Sequence, residues 1–273
     1  FYFYVAQGKI FVAMPVTVWH GHEMIFGFTM AVVAGFLLTA VMNWTGLPTL
    51  HGRPLLSLFL YWLAARIFAF MPSSFSLWPM AICDTMFLGF LMLAVMKPII
   101  AVKQWKQFAV LSKLILVFLS GIVFYWALFH DDLMSERKAL LFAVYMIISL
   151  ILTISRRVMP FFIERGVGYP VTLRNNMFLD ISSLVLLIIF SVTDVFFNFP
   201  TFVSVLCALL SVIHILRLAG WYTPGIWRKP LLWILFIGYI FLIIGFIFKA
   251  FAGMNYRLHD CALHAFTAGG IGI

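Results

Sequence analysis

The feature that most constrains this chain is a succession of apolar runs, each about as long as a bilayer is thick. They cover 22–43, 54–71, 77–96, 108–129, 139–155, 177–197, 200–218 and 231–252, and a ninth opens near His259. A helix needs roughly 20 apolar residues to cross the hydrocarbon core. Pro48 and Pro54, Pro72, Pro98, Pro160 and Pro170, Pro200, Pro224 and Pro230 punctuate the runs, and proline removes a backbone donor and disfavours helix before it. The expectation is an all-α, polytopic transmembrane helical bundle with eight complete spans and a truncated ninth. Residues 1–273 read as a single transmembrane domain cut at both ends, since the chain starts at Phe1 and stops inside its ninth run.

Composition agrees. Hydrophobic residues make up 64% of the 273 and charged residues 10%, with a mean hydropathy of +1.10. Soluble domains carry roughly 25% charged residues, so the bilayer must serve as solvent for much of this surface. The net charge of +9 is spread between apolar runs, which excludes the clustered basic patch of a nucleic-acid binder. Cys83, Cys207 and Cys261 are odd in number and lie in apolar stretches without CxxC spacing, so they read as packing residues.

The basic residues instead set sidedness. Ten fall in alternate connections (Arg53, Lys97, Lys103, Lys106, Arg156, Arg157, Arg165, Arg174, Arg228 and Lys229), against four in the others (Lys9, Arg137, Lys138 and Arg257). Cytoplasmic loops carry the excess. The approach to the first span then faces outward, and His20, His22, His130, His259 and His264 share that extracytoplasmic level, five of the seven histidines.

Imidazole suits zinc, copper, iron and nickel, and binds haem iron axially. On a regular helix His20 and His22 point about 200° apart. Either the helix starts beyond His20 or the two serve different centres. Gly27, Ala31, Ala34 and Gly35 lie near the His20 face, and Ala268 and Gly272 follow His264 at i+4 and i+8. Small residues admit a neighbouring backbone or a flat macrocycle. Glu23 either supports a ligand histidine and moves protons, or caps a helix start.

Ionisable residues inside spans point to function or to pairing. Arg66 stands about eight residues before the turn near Ser73 and Ser74, and Asp84 about ten after it, so at 1.5 Å per residue they reach similar depth. An ion pair is one reading; a haem propionate held by the guanidinium is the other. Toward the cytoplasm, Arg156 and Arg157 in "SRRVMPFF", and Arg217 and Trp221 in "RLAGW", are either topology anchors or an anionic site, with Asp180 and His214 in reach. Asp194 and Asp260 read as solvated.

"WHGHEMIFGF" at 19–28 followed by "AVVAGFLLTAVMNWTG" at 31–46 resembles the NnrS family of bacterial membrane proteins. "RRVMPFF" at 156–162, "RLAGW" at 217–221, "PLLW" at 230–233 and "ALHAFTAGGIG" at 262–272 continue the likeness in order. The resemblance implies about twelve spans in the cytoplasmic (inner) membrane, haem and copper as cofactors, and a role in nitric oxide response and nitrosative stress. By position it implies His20, His22 and His264 as metal ligands, with His259 beside them, and Arg66, Arg156, Arg157, Arg217 and Trp221 as cofactor supports. Glu23 becomes a proton-transfer candidate. Phe236 stands where relatives often carry a histidine after "PLLW".

The expected function is a haem-bearing, and with copper a haem–copper, membrane protein that binds or detoxifies nitric oxide or a similar diatomic. A haem-dependent nitric oxide oxidoreductase drawing on an electron donor is its catalytic form. The competing readings are a polytopic transporter or channel and a haem-handling factor. Besides membrane lipid, the partners are small molecules, with no nucleic acid.

Overall fold

The computed structural model describes residues 14–71, 74–173, 175–255 and 257–272. Lys9, Pro72, Ser73 and Arg174, named above, lie outside the described residues. Every regular element among those described is helical. We number the long helices α1 (Val16–Thr45), α2 (Arg53–Ala69), α3 (Leu77–Ala101), α4 (Phe108–Phe129), α5 (Leu133–Gly166), α6 (Met177–Phe196), α7 (Pro200–Gly220), α8 (Pro230–Phe251) and α9 (Arg257–His264).

Seven of these are long and apolar enough to cross a membrane: α1 and α3 to α8. The expected second span, α2, has 17 residues. Its length of about 25 Å falls short of a hydrocarbon core of about 30 Å. Eight complete spans are therefore not all found as full-length apolar helices.

Two boundaries move for physical reasons. The fifth span was expected to stop near 155, but α5 runs 34 residues with Pro160 inside it. Pro98 likewise lies within α3, which continues to Ala101. Proline costs one ladder bond, and neighbouring groups in a packed bundle can absorb that loss. The first span also starts earlier, at Val16, so His20 and His22 are already helical. They point apart as the helical period requires: His20 is exposed, while His22 is fully buried.

A π-helical turn, Glu23–Thr29, interrupts α1 directly after His22. A second, Ala265–Ile271, follows α9 directly after His264. Such turns often mark functional positions. In the first, the wider winding leaves carbonyls for side chains: Thr29 Oγ1 donates to Met24 O at 2.7 Å, and Trp62 Nε1 to Gly27 O at 2.9 Å.

The chain forms two compact units, divided between Ala143 and Val144. In the first, α3 packs against α1, α2 and α4, so a polar group midway along α3 meets side chains from three helices. In the second, α7 packs on α6 and α8, and α8 carries α9 with its π turn. Gly245 of α8 makes that last contact, because a Cβ there would overlap the fully buried Phe266 ring.

Gly245→Ala should therefore lower the stability of the detergent-solubilised protein by about 1–3 kcal/mol, the usual cost of overpacking. Gly35→Ala, whose new Cβ would meet nothing within 4 Å, should be neutral or slightly stabilising. Thermal unfolding of the two variants checks the contrast.

Candidate functional site

In the first unit four helices each bring a polar group to one place. α1 supplies His22 and Glu23, α2 Arg66, α3 Asp84 and α4 Tyr125. Arg66 Nη2 donates to both Asp84 oxygens at 2.8 Å, and Arg66 Nε lies 2.7 Å from Glu23 Oε2. Tyr125 donates its hydroxyl proton to Asp84 Oδ2 at 2.6 Å. His22 Nδ1 lies 3.0 Å from Glu23 Oε1, and Nε2 lies 3.0 Å from the Tyr125 oxygen and 3.3 Å from Asp84 Oδ2. Phe26 and Phe124 flank the imidazole at 5.2 and 5.0 Å.

The bond directions constrain the charge state. The Tyr125 proton is spent on Asp84, so His22 Nε2 must donate. Were Glu23 a carboxylate beside Arg66, His22 Nδ1 would donate too. His22 would then be an imidazolium, and two cations would meet two carboxylates in a neutral group. Buried charges persist only when paired and hydrogen-bonded in this way. Gly27 makes room for the pairing, since a Cβ would press on Glu23 Oε2 at 3.0 Å and Arg66 Nη1 at 3.1 Å. The small residues below His20 are thus not one open groove: Gly27 and Ala34 are buried, and Gly35 is exposed.

The second unit holds two clusters at opposite ends of its helices. Where α5 and α7 end, Arg217 Nη2 lies 2.9 Å from Asp180 Oδ1 and donates to Ser183 Oγ at 2.8 Å and Leu179 O at 3.0 Å. Arg217 Nη1 donates to the Tyr239 oxygen at 3.3 Å, and that hydroxyl lies 2.7 Å from His214 Nδ1. Trp221 Nε1 donates to Asn175 Oδ1 at 3.0 Å, so the indole N–H is engaged by protein. Arg156 Nη1 stands 3.8 Å from Asp180 Oδ2. Arg157 is half-buried beside it.

At the other end, Lys249 Nζ lies 2.9 Å from Asp194 Oδ2 and donates to His259 Nδ1 at 2.9 Å, and Tyr145 donates to Asp194 Oδ2 at 2.6 Å. Asp194, expected to be solvated, instead anchors this cluster. The sequence carried a signal for it: Asp194 and Lys249 each stand two residues before the end of an apolar helix, and α6 and α8 run in the same direction. Tyr125 had no such signal, because a phenol in an apolar run reads as bulk.

The predicted metal ligands fare differently. His22 has both ring nitrogens within hydrogen-bond distance of protein groups, Glu23 at Nδ1 and Tyr125 at Nε2. His259 accepts from Lys249 at Nδ1, which leaves the proton of a neutral ring on Nε2. His264 is exposed, and its Nδ1 donates to Asp260 O at 2.8 Å, which leaves the lone pair on Nε2; ligand histidines are commonly oriented by such a bond. His130 repeats this geometry against Trp126 O at 2.7 Å. His20 is exposed with no hydrogen-bond partner among the described residues. Among those residues, no three His, Cys, Asp or Glu side chains group as a metal cluster.

The family model described as NnrS protein matches residues 2–273. No curated protein and no solved structure matches the chain.

Asp84→Ala should destabilise the protein by about 3–5 kcal/mol, the usual cost of stranding buried charge. Arg66→Ala made in that background should cost well below its cost alone, because both act on one network. A double-mutant cycle on thermal unfolding reads this coupling.

Proposed function

Because the chain belongs to the NnrS family, matched from residue 2 to residue 273, we propose that it is a haem-bearing membrane protein of the nitric oxide response that binds or detoxifies the gas. Copper and a bacterial inner-membrane location belong to the same reading. The observation that carries it is His264, an exposed imidazole whose Nδ1 proton is fixed on Asp260 O and whose Nε2 is left to coordinate. Exposed Ala268 and Gly272 follow it along the helix, and their lack of bulk suits a flat ring. His20 is the corresponding candidate in the first unit. Bound ferrous haem, held by His264 or His20, would supply an iron that binds diatomic gases.

The other residues then take supporting parts. Glu23 bridges His22 and Arg66, positioned to hold or pass a proton in a catalytic form of the protein. Arg66 is tied to Asp84 and Glu23, and Arg217 to Asp180, Ser183 and Leu179, so they position helices more than they hold a propionate. The axial role needs one or two imidazoles, which isolated exposed histidines can meet; a protein-held copper needs a fuller donor set.

A transporter is the second reading. The π turn inside α1 supports it, because interruptions of apolar helices are a recurrent sign of a substrate path. An electron donor and turnover belong to the enzymatic form only.

The purified protein should show a Soret band that shifts when nitric oxide is added to the reduced form. His264→Ala or His20→Ala should abolish or move the band, and His22→Gln should leave it in place while lowering thermal stability. A colourless, metal-free preparation that moves a solute into liposomes would favour the transporter instead.

A further inference from the structure

Arg156 holds a guanidinium that its surroundings leave largely unused. The contact of Nη1 to Asp180 at 3.8 Å is too long for a hydrogen bond. Its Nε is buried with no partner. The Nε–Nη2 edge is the one that grips carboxylates and phosphates with two parallel bonds. Asp180 cannot serve it better, because its Oδ1 is taken by Arg217 at 2.9 Å.

Charge is also unbalanced here. Arg156 and Arg217 place two positive charges on one carboxylate. Glu164 is turned to the following loop, where its Oε1 accepts from Leu173 N at 3.0 Å. Arg217 has a second orphan, a buried Nε, and its side chain is only 4% exposed. A buried guanidinium with an unmet donor, beneath a second guanidinium with an open fork, lacks an anion.

The depth says where that anion comes from. Arg156 closes the apolar stretch that begins at Ala139, about 25 Å along the helix axis. That is a few ångströms short of a hydrocarbon core of about 30 Å, so a long guanidinium at the end of this stretch comes within reach of lipid phosphates. Asn175 fixes the loop over this end, donating to Arg156 O at 3.4 Å while accepting from Trp221.

We propose that the Arg156 fork, backed by Arg217 and Asp180, is a binding site for a phosphate-bearing anion, either a phospholipid headgroup or free phosphate. The site is separate from the haem reading and survives its failure.

The test compares the purified protein with Arg156→Gln, Arg156→Lys and Arg165→Gln. Arg165 is a charge-matched control: it is exposed at the end of the same helix and lies over the Phe161 ring at 4.7 Å. One arm uses native mass spectrometry from phosphatidylethanolamine nanodiscs containing phosphatidylglycerol or cardiolipin. The other titrates delipidated protein in detergent with inorganic phosphate and follows thermal unfolding. Arg156→Gln should weaken binding roughly tenfold or more, as loss of a charge-assisted bidentate contact does. Arg156→Lys should weaken it less, since the charge remains, and serves if the glutamine variant does not fold. Arg165→Gln should match the parent. Binding in the first arm alone names a lipid headgroup as the source, and binding in the second names free phosphate. No binding in either arm, or equal binding by all variants, overturns the proposal. So does a loss of the Soret band in Arg156→Gln with phosphate binding unchanged, which would give the fork to a haem propionate.

Discussion

Two carboxylates and two cations, closed into a neutral group between four helices, are the interaction on which the first unit depends. None of the four is tolerable alone inside a bundle: an unpaired buried ion costs several kcal/mol even after relaxation. Together they bind α1, α2 and α3, and the Tyr125 hydroxyl adds α4, around Asp84 on the helix that touches the other three. The π turn after His22 belongs to the same arrangement. It places Glu23 against Arg66 and turns Gly27, the residue with no side chain to obstruct the guanidinium, toward the pair.

The second unit solves the same problem at its two ends. Lys249 is neutralised by Asp194, which Tyr145 also reaches, and Arg217 by Asp180. Arg156 shares that aspartate only at a distance, so this end keeps a positive excess where the other does not. The histidines divide along the same line. Those absorbed into ionic clusters, His22 and His259, have their ring protons dictated by charged neighbours. Those turned outward, His264 and His130, are oriented by a backbone carbonyl and keep Nε2 open.

Much of this was legible before any coordinates. The Arg66–Asp84 pair followed from counting residues on each side of a hairpin, because helical rise converts sequence distance into depth. Asp180 was rightly placed near the arginines of α5 and α7. The opposite directions of His20 and His22 followed from the helical period alone. Other features were hidden. Apolar periodicity says little when helices are hydrophobic on every side, so helix faces could not be assigned. Nor do prolines reliably end such helices, as Pro98 and Pro160 show. The π turns have no composition of their own. Lys249 and Asp194 were readable by the depth argument used for Arg66, applied to α6 and α8.

The account stands on His22 being an imidazolium locked between Glu23, Asp84 and Tyr125. Nitrogen-15 solid-state NMR of ring-labelled histidine in the membrane-embedded protein, with His22→Gln to assign the signals, measures this directly. Both ring nitrogens should resonate as protonated nitrogens. An unprotonated nitrogen assigned to His22 would contradict the neutral four-helix group and return His22 to the metal-ligand candidates.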